Sequence, residues 1–327
     1  MAPVDGYTVS NLSKADCFIC GQQNSTNIVE APDFEYACKP GVFNVARCNS
    51  CGHVFSNPTP SPEHIPGLYP PTYYTVNPRS PLFLQGPIYR AKVRGDAHRI
   101  EKLTRGRRPQ SILDIGCGDA ARLIELRRRW GTVPTIAGVD LLVTNAIRSR
   151  CAQHNIELFE ANIEVGLGAL GDRKFDFILM AQLIEHLGDP RAGIKNVAKL
   201  LNPGGRVLIE TPNLGGLDYR LFKRRYWGGY HIPRHLHLFC HQSLAQLTES
   251  CGLRVVRQGS LPSPGFWIIS VRNKLGLNSA ERSRSFFEWI NFSNLFAVGF
   301  FTAIDLVTSS AGVATSNQYV IAEKPNQ

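Results

Sequence analysis

Ser111-Ile112-Leu113-Asp114-Ile115-Gly116-Cys117-Gly118 is an apolar run that breaks on two glycines, and Ile136-Ala137-Gly138-Val139-Asp140 follows it as a second run ending on an acid. A short apolar run bounded by glycine reads as a buried strand that passes into a helix, here expected from about Ala120 to Trp130. Gly116 and Gly118 clear side chains from a turn whose backbone a ligand must approach closely. The same alternation continues outward. Strands are expected at 111–115, 135–139, 156–160, 175–180 and 205–210, with helices between them. Right-handed crossovers then dictate a parallel sheet, so the fold class is α/β. Leu253 to Gly259 and Gln318 to Ala322 read as two further strands.

The start of the helix presents unpaired N–H groups and a positive dipole end, which suit a carboxylate or a phosphate equally. Two acids decide between them. Asp140, at the end of the second strand, can accept both hydroxyls of a ribose. Asp114, two residues before the first glycine, would repel a pyrophosphate but can pair with the ammonium of a methionine moiety. The pattern therefore favours S-adenosylmethionine over a dinucleotide, with Cys117 in the turn and Leu141 just past the acid.

Residues 113–120, LDIGCGDA, resemble the first motif of the class I S-adenosylmethionine-dependent methyltransferases, and the resemblance covers about 110–261 plus the C-terminus. It implies a Rossmann-like seven-stranded methyltransferase sheet whose last two strands form an antiparallel pair. Residues 262–316 would then be an insertion, and 317–327 the last strand and tail. It also implies that Asn162 and Ile163 follow the third strand near the adenine, where the family usually has an acid, and that Met180 and Gln182 line the adenine or methyl pocket.

Nearer the N-terminus, Cys17-Phe18-Ile19-Cys20-Gly21 and Cys48-Asn49-Ser50-Cys51-Gly52 are two C-x-x-C-G turns. Each glycine permits a tight turn that aims two thiolates at one point, and four thiolates make a closed structural zinc site. Residues 1–56 are expected to form a zinc ribbon around Zn2+ held by Cys17, Cys20, Cys48 and Cys51. Cys38 and His53 are available as substitute ligands but are read first as ordinary residues. Residues 57–109 follow as a proline-rich linker and a basic helix from Ile88 to Arg108 that could lie over the cofactor mouth as a lid.

Methyl transfer from a sulfonium is an in-line displacement, so the protein must hold the acceptor and take a proton. Two segments after strand ends offer the groups. Met180-Ala181-Gln182-Leu183-Ile184-Glu185-His186-Leu187 resembles the Glu-His-Leu/Val segment of small-molecule methyltransferases, including the ubiquinone-type O-methyltransferases, and makes His186 a candidate base. Trp227 to Phe239 is dense in His, Arg, Tyr and Trp, unlike a solvated connector. Within it His235 is the second candidate base, and Tyr230, His231, Arg234 and His237 are candidate acceptor contacts, with Arg234 suited to a phosphate or carboxylate. A second metal here is disfavoured, because no cysteine or carboxylate stands nearby in sequence.

Composition sets the partners. With 43% hydrophobic and 19% charged residues the chain has a globular composition, and 36 Lys+Arg against 26 Asp+Glu give a net charge of +10 that suits anionic partners. Met1 to Ser10 lacks a basic flank and an apolar run, so a cytoplasmic location is expected, with nine cysteines kept as metal ligands or free thiols. Trp289 to Ile304 is uncharged but short of the roughly 20 residues of a membrane span. Helical spacing gathers Glu288, Asn291, Thr302, Asp305 and Ser309 near one stripe and leaves a wide apolar face. Residues 284–313 could therefore be buried, meet a second copy in a homodimer, or touch the inner membrane surface.

The expected activity is methyl transfer to a small-molecule or lipid-linked acceptor, at a sugar hydroxyl or a related one, with carbon methylation as a variant. An rRNA base methyltransferase is the alternative that the charge suggests. Nucleic acid is disfavoured, since no aromatic-basic stacking platform stands out. A non-catalytic cofactor-binding adapter is the third reading.

Overall fold

The computed structural model describes residues 12–38, 40–69, 86–104, 109–131, 135–277 and 286–326. Prolines 70, 71, 78 and 81 of the expected linker, and Arg282 and Arg284 before the apolar run, lie outside them.

Short strands come first: β1 (Leu12–Ser13), β2 (Ser25–Ala31), β3 (Phe43–Cys48), β4 (Val54–Ser56) and β5 (Thr59–Pro60), then helix α1 (Gly86–Leu103). The core follows with β6 (Ser111–Ile115), α2 (Ala121–Trp130), β7 (Thr135–Asp140), α3 (Asn145–Ala152) and β8 (Glu157–Glu160). It continues with β9 (Phe175–Ala181), α4 (Pro190–Leu200), β10 (Leu201–Pro212), α5 (Leu217–Phe222) and β11 (His237–Leu238). The last elements are α6 (His241–Glu249), β12 (Arg254–Leu261), α7 (Pro264–Leu275), α8 (Leu295–Ser310) and β13 (Asn317–Glu323).

Seven strands make one sheet in the order β12-β13-β10-β9-β6-β7-β8. The pairs on either side of β6 and β9 are parallel, while β13 slots between β10 and β12 and runs against both. This is the Rossmann-like methyltransferase sheet, with the antiparallel pair at its edge. Apolar side chains cover both faces, Leu113, Ile115, Ile178 and Ile209 on one and Ile112, Phe177, Leu179 and Leu208 on the other. Such side chains contribute about 1.5–3 kcal/mol each when fully buried. Strand order reverses between β6 and β9, and open α/β sheets bind their ligands in the crevice at that switch. The site is therefore expected beyond Ile115 and Ala181.

A second sheet joins the two ends of the argument. Its order is β11-β4-β3-β2, so a strand from the 227–239 loop completes the sheet of the cysteine-bearing segment. Val29, Val45 and Val54 share one apolar cluster with Trp227, Tyr230, Leu236 and Leu238. A segment this short has too little apolar surface to close its own core, and it borrows the rest from the loop. Among the described residues no helix is long and apolar enough to cross a membrane.

Candidate active site

The glycine turn adopts the backbone that its residues allow. Gly116 (φ 74°) and Gly118 (φ 54°) are both left-handed. The N–H groups of Gly116 and Cys117 donate to the Val139 carbonyl at 2.8 and 3.1 Å, which ties the turn to the end of β7. The Gly118 N–H donates to Asp140 Oδ2 at 2.8 Å, and the Leu142 N–H donates to Oδ1 at 3.3 Å. Asp140 thus sits over the turn, with Leu141, 64% exposed, at the lip. Gly138 is required for a different reason: a Cβ there would lie 2.8 Å from both Cys117 Sγ and Leu158 Cδ2. Leu183 packs on the other side of Gly116, so the 182–187 turn abuts the berth. Left-handed glycines, a strand-end acid and a switch-point crevice fit S-adenosylmethionine.

Four of the expected cofactor residues lie elsewhere than on the wall. Asp114 is fully buried and faces Arg122 Nε at 3.4 Å, so an ammonium group would have to share the carboxylate with that guanidinium. Burial pushes its carboxyl up to about 6, against the pull of Arg122. Met180 and Ile163 pack in the hydrophobic core, because strand alternation turns Met180 inward. Asn162 caps its own loop, its Oδ1 accepting from the Glu164 N–H at 2.8 Å. Gln182 stays at the crevice in a left-handed conformation (φ 54°), its Nε2 donating to Asn317 Oδ1 at 3.1 Å. A non-glycine residue held there stores strain of the kind found at functional sites.

Beyond the turn, histidines from two segments converge. The His186 and His235 rings meet edge to face with centroids 4.6 Å apart, and His231 lies 4.8 Å from His235. His186 Nδ1 lies 3.2 Å from the Arg234 carbonyl and 3.0 Å from the Tyr69 hydroxyl. His235 Nδ1 lies 2.8 Å from the Gly229 carbonyl. A ring N–H donated to a carbonyl leaves Nε2 with its lone pair, so both rings can accept a proton there. Burial, with His231 adding to it, drives His186 down to about 3, and burial drives His235 well below its usual value.

Glu185 belongs to this cluster, though sequence reading passed over it. It is fully buried; Thr211 Oγ1 donates to its Oε2 at 2.9 Å, and Oε1 lies 4.0 Å from His235 Nε2. Oε1 has no hydrogen-bond partner among the described residues. Burial pushes this carboxyl up to about 8. The tertiary structure thus brings to the histidines of the 227–239 loop a carboxylate that their local sequence lacks. Ligand atoms of Glu185, His186 and His235 lie within 4.8 Å of one another and could hold a divalent cation.

The cysteine-bearing segment builds the back wall. Arg234 is not available for an acceptor anion: fully buried, it forks onto Asp33 with Nη1–Oδ1 3.1 Å and Nη2–Oδ2 2.8 Å, and stacks over Tyr36. Glu35 Oε2 lies 2.5 Å from His231 Nδ1. His237 is part of β11 and packs on Phe18 and His53, with Nδ1 3.3 Å from His53 Nε2. It joins the two segments and does not face an acceptor. Tyr230 is also buried, its hydroxyl donating to the Lys223 carbonyl at 2.7 Å, and its ring borders a cleft shared with Glu35, Arg225 and His231. Asp33 and Glu35 carry no local motif, since their partners lie some 200 residues away.

The four predicted thiols do meet. Cys17 and Cys51 Sγ are 3.5 Å apart, Cys20 and Cys48 Sγ 3.6 Å, and all four lie within 4.8 Å of one another. Tetrahedral zinc with Zn–S of about 2.3 Å needs sulfurs about 3.8 Å apart, so the cluster fits. Matching turns make it: the Gly21 and Gly52 N–H groups donate back to the Cys17 and Cys48 carbonyls at 2.7 and 3.0 Å. Burial opposes ionisation of Cys48, but backbone N–H groups at Cys51 and Ser50 bring its thiol down to about 7. Cys38 and His53 stay out of the cluster, as expected.

The family described as "Methyltransferase domain" matches residues 89–258, just over half of the chain. A ubiquinone biosynthesis O-methyltransferase of Coxiella burnetii is 27% identical over 153 residues, 44% of this chain and 64% of that protein. One of Bartonella tribocorum is 36% identical over 104 residues, 31% of this chain and 41% of that protein. The chain thus spans under two thirds of the length of these relatives. A solved S-adenosylmethionine-dependent methyltransferase from Archaeoglobus fulgidus aligns with a TM-score of 0.44 at 19% identity, covering 72% of this chain and 94% of that one. The chain belongs to the methyltransferase-domain family.

Proposed function

We propose that the protein methylates a hydroxyl of a small-molecule or lipid-linked acceptor, and that its four cysteines hold a structural zinc. The observation that carries the reading is the 182–187 turn, whose Leu183 packs against Gly116 of the glycine turn and whose Glu185 and His186 meet His235. The relatives named as O-methyltransferases support oxygen as the accepting atom. When bound beside the glycine turn and Asp140, S-adenosylmethionine would supply an electrophilic methyl group for the hydroxyl oxygen. The hydroxyl proton must then leave. His186 and His235, neutral with Nε2 free to accept, hold the hydroxyl by hydrogen bonding. Both rings have low proton affinity, whereas Glu185, at about 8, is matched to neutral pH. Glu185 is the final proton acceptor, and burial keeps water from competing.

The test is formation of S-adenosylhomocysteine with catechol, prenylated phenol and glycoside acceptors. Turnover is expected with at least one hydroxyl acceptor and is lost in Glu185→Gln. Transfer only to amines or carbon acids, or turnover untouched by Glu185→Gln, would overturn the assignment. Metal analysis of the purified chain should return one zinc, lost in Cys20→Ser.

A further inference from the structure

Helix α8 is mounted inside out. A helix on the outside of a globular protein buries its apolar stripe and shows water its polar one. Here Ala297, Phe301 and Asp305, spaced four apart, face inward, and Asp305 is 1% exposed. Its carboxylate accepts from the Ser263 N–H at 2.7 Å, from Trp267 Nε1 at 2.9 Å and from Ser316 Oγ at 3.3 Å. Those bonds fix the rotation of the helix, because turning it would strand a buried acid. The opposite face is left to Leu295 (68% exposed), Phe296 (86%), Phe300 (59%), Leu306 (56%) and Val307 (67%). Gly299 and Ala303 fill the gaps in this stripe, and no charge interrupts it. Phe287 and Trp289, both 43% exposed, continue it on the N-terminal side.

Cations are carried by α5 and the turn after it, which pack on α7, the helix that α8 packs against. Arg220, Lys223, Arg224 and Arg225 are all exposed on α5 and the turn after it, and no acid stands between Tyr219 and His235. Packing binds the two elements together: Phe222 of α5 contacts Trp267 of α7, which stacks on Phe301 of α8 at 5.8 Å. Lys274 adds a further cation, 5.9 Å from the Phe222 ring.

We infer that the outer face of α8, together with the 220–225 cations, docks the protein on an anionic phospholipid bilayer. The chemistry matches on both counts: apolar side chains for the acyl boundary, basic ones for the headgroups. At 16 residues α8 is about 24 Å long, so it would lie flat in the interface, too short to span. A second copy fits less well, since pairing these faces would bring two sets of 220–225 cations together, and Glu288, the acid between Phe287 and Trp289, is already paired with Arg272 at 3.5 Å. The inference stands without the proposed acceptor chemistry.

Flotation of the full chain with vesicles tests it. Binding is expected to equimolar phosphatidylcholine and phosphatidylglycerol, to fall as salt rises, and to be absent from phosphatidylcholine alone. Phe296→Asp/Phe300→Asp should abolish it. Lys223→Ala/Arg224→Ala should weaken it about thirtyfold, at roughly fivefold per cation. These side chains are exposed, so thermal unfolding and S-adenosylmethionine affinity should match the parent chain and show that each variant is folded. No binding to either vesicle overturns the inference. So does a homodimer that Phe296→Asp/Phe300→Asp converts to monomer without any vesicle binding, or binding that follows added RNA and not lipid.

Discussion

The glycine turn and the histidine cluster are linked through the 182–187 turn, yet they are built in opposite ways. Gly116, Gly118 and Asp140 come from one strand–helix–strand unit of 30 residues, held by backbone hydrogen bonds between neighbouring strands. The cluster draws Glu35 from the cysteine-bearing segment, Glu185 and His186 from the turn after β9, and His231 and His235 from the loop before β11. A site made by one unit survives damage elsewhere. A site made by three segments depends on whatever holds them together, here the shared sheet β11-β4-β3-β2, the Asp33–Arg234 fork and the thiol cluster.

Zinc removal should separate the two regions most sharply. Structural zinc contributes on the order of 10 kcal/mol to small modules. Chelation, or Cys20→Ser, is expected to abolish methyl transfer while calorimetric S-adenosylmethionine affinity changes only a few-fold. Equal loss of both would mean that the regions fold as one unit and that the contrast is false.

Asp33→Ala is the next largest. It leaves the Arg234 guanidinium buried without its carboxylate, a change that typically costs 3–5 kcal/mol. Urea unfolding should show that loss, and Asp33→Ala/Arg234→Met should recover much of it.

Glu185→Gln acts on chemistry alone and is expected to lower kcat about 10²–10⁴-fold with cofactor affinity unchanged. Parent activity should rise as Glu185 deprotonates, through pH 8 or so, and the variant should lose that limb. On the other side of the comparison, Asp140→Ala removes a charged acceptor worth about 1.5–3 kcal/mol. It should weaken S-adenosylmethionine binding roughly 10–100-fold while leaving the urea midpoint near that of the parent.

Acid gives the smallest and most selective effect. Burial holds His237 down to about 4 in the folded chain, against an ordinary value near 6.5. The folded state therefore favours the neutral ring. Its advantage is complete above pH 6.5 and is lost as pH falls toward 4, on the order of 2 kcal/mol by pH 5. His186 and His235 shift the same way, so thermal unfolding followed by Trp227 fluorescence should show the cluster weakening across that window.

Legibility in sequence follows the same division. The strands, the glycine turn, Asp140 and the two C-x-x-C-G turns were readable because each depends on residues close in the chain: a period of two, a left-handed glycine, a thiol pair on one turn. Arg234 and His237 were misread for the complementary reason. Their composition suggests ligand binding, but what they bind is set by Asp33 and His53, which no local pattern connects to them. Glu185 was passed over beside His186 because its neighbours gave no sign that both its burial and its proton affinity would be high.

By itself the sequence determined the α/β sheet, the glycine turn and the cysteine cluster, since hydrophobic period and turn chemistry act over a few residues. Only the tertiary structure decided which titratable groups share a dry space and which way α8 faces. Desolvation and packing between distant segments set both, and a lone buried Asp305 outweighs the helix's own preference to hide its phenylalanines.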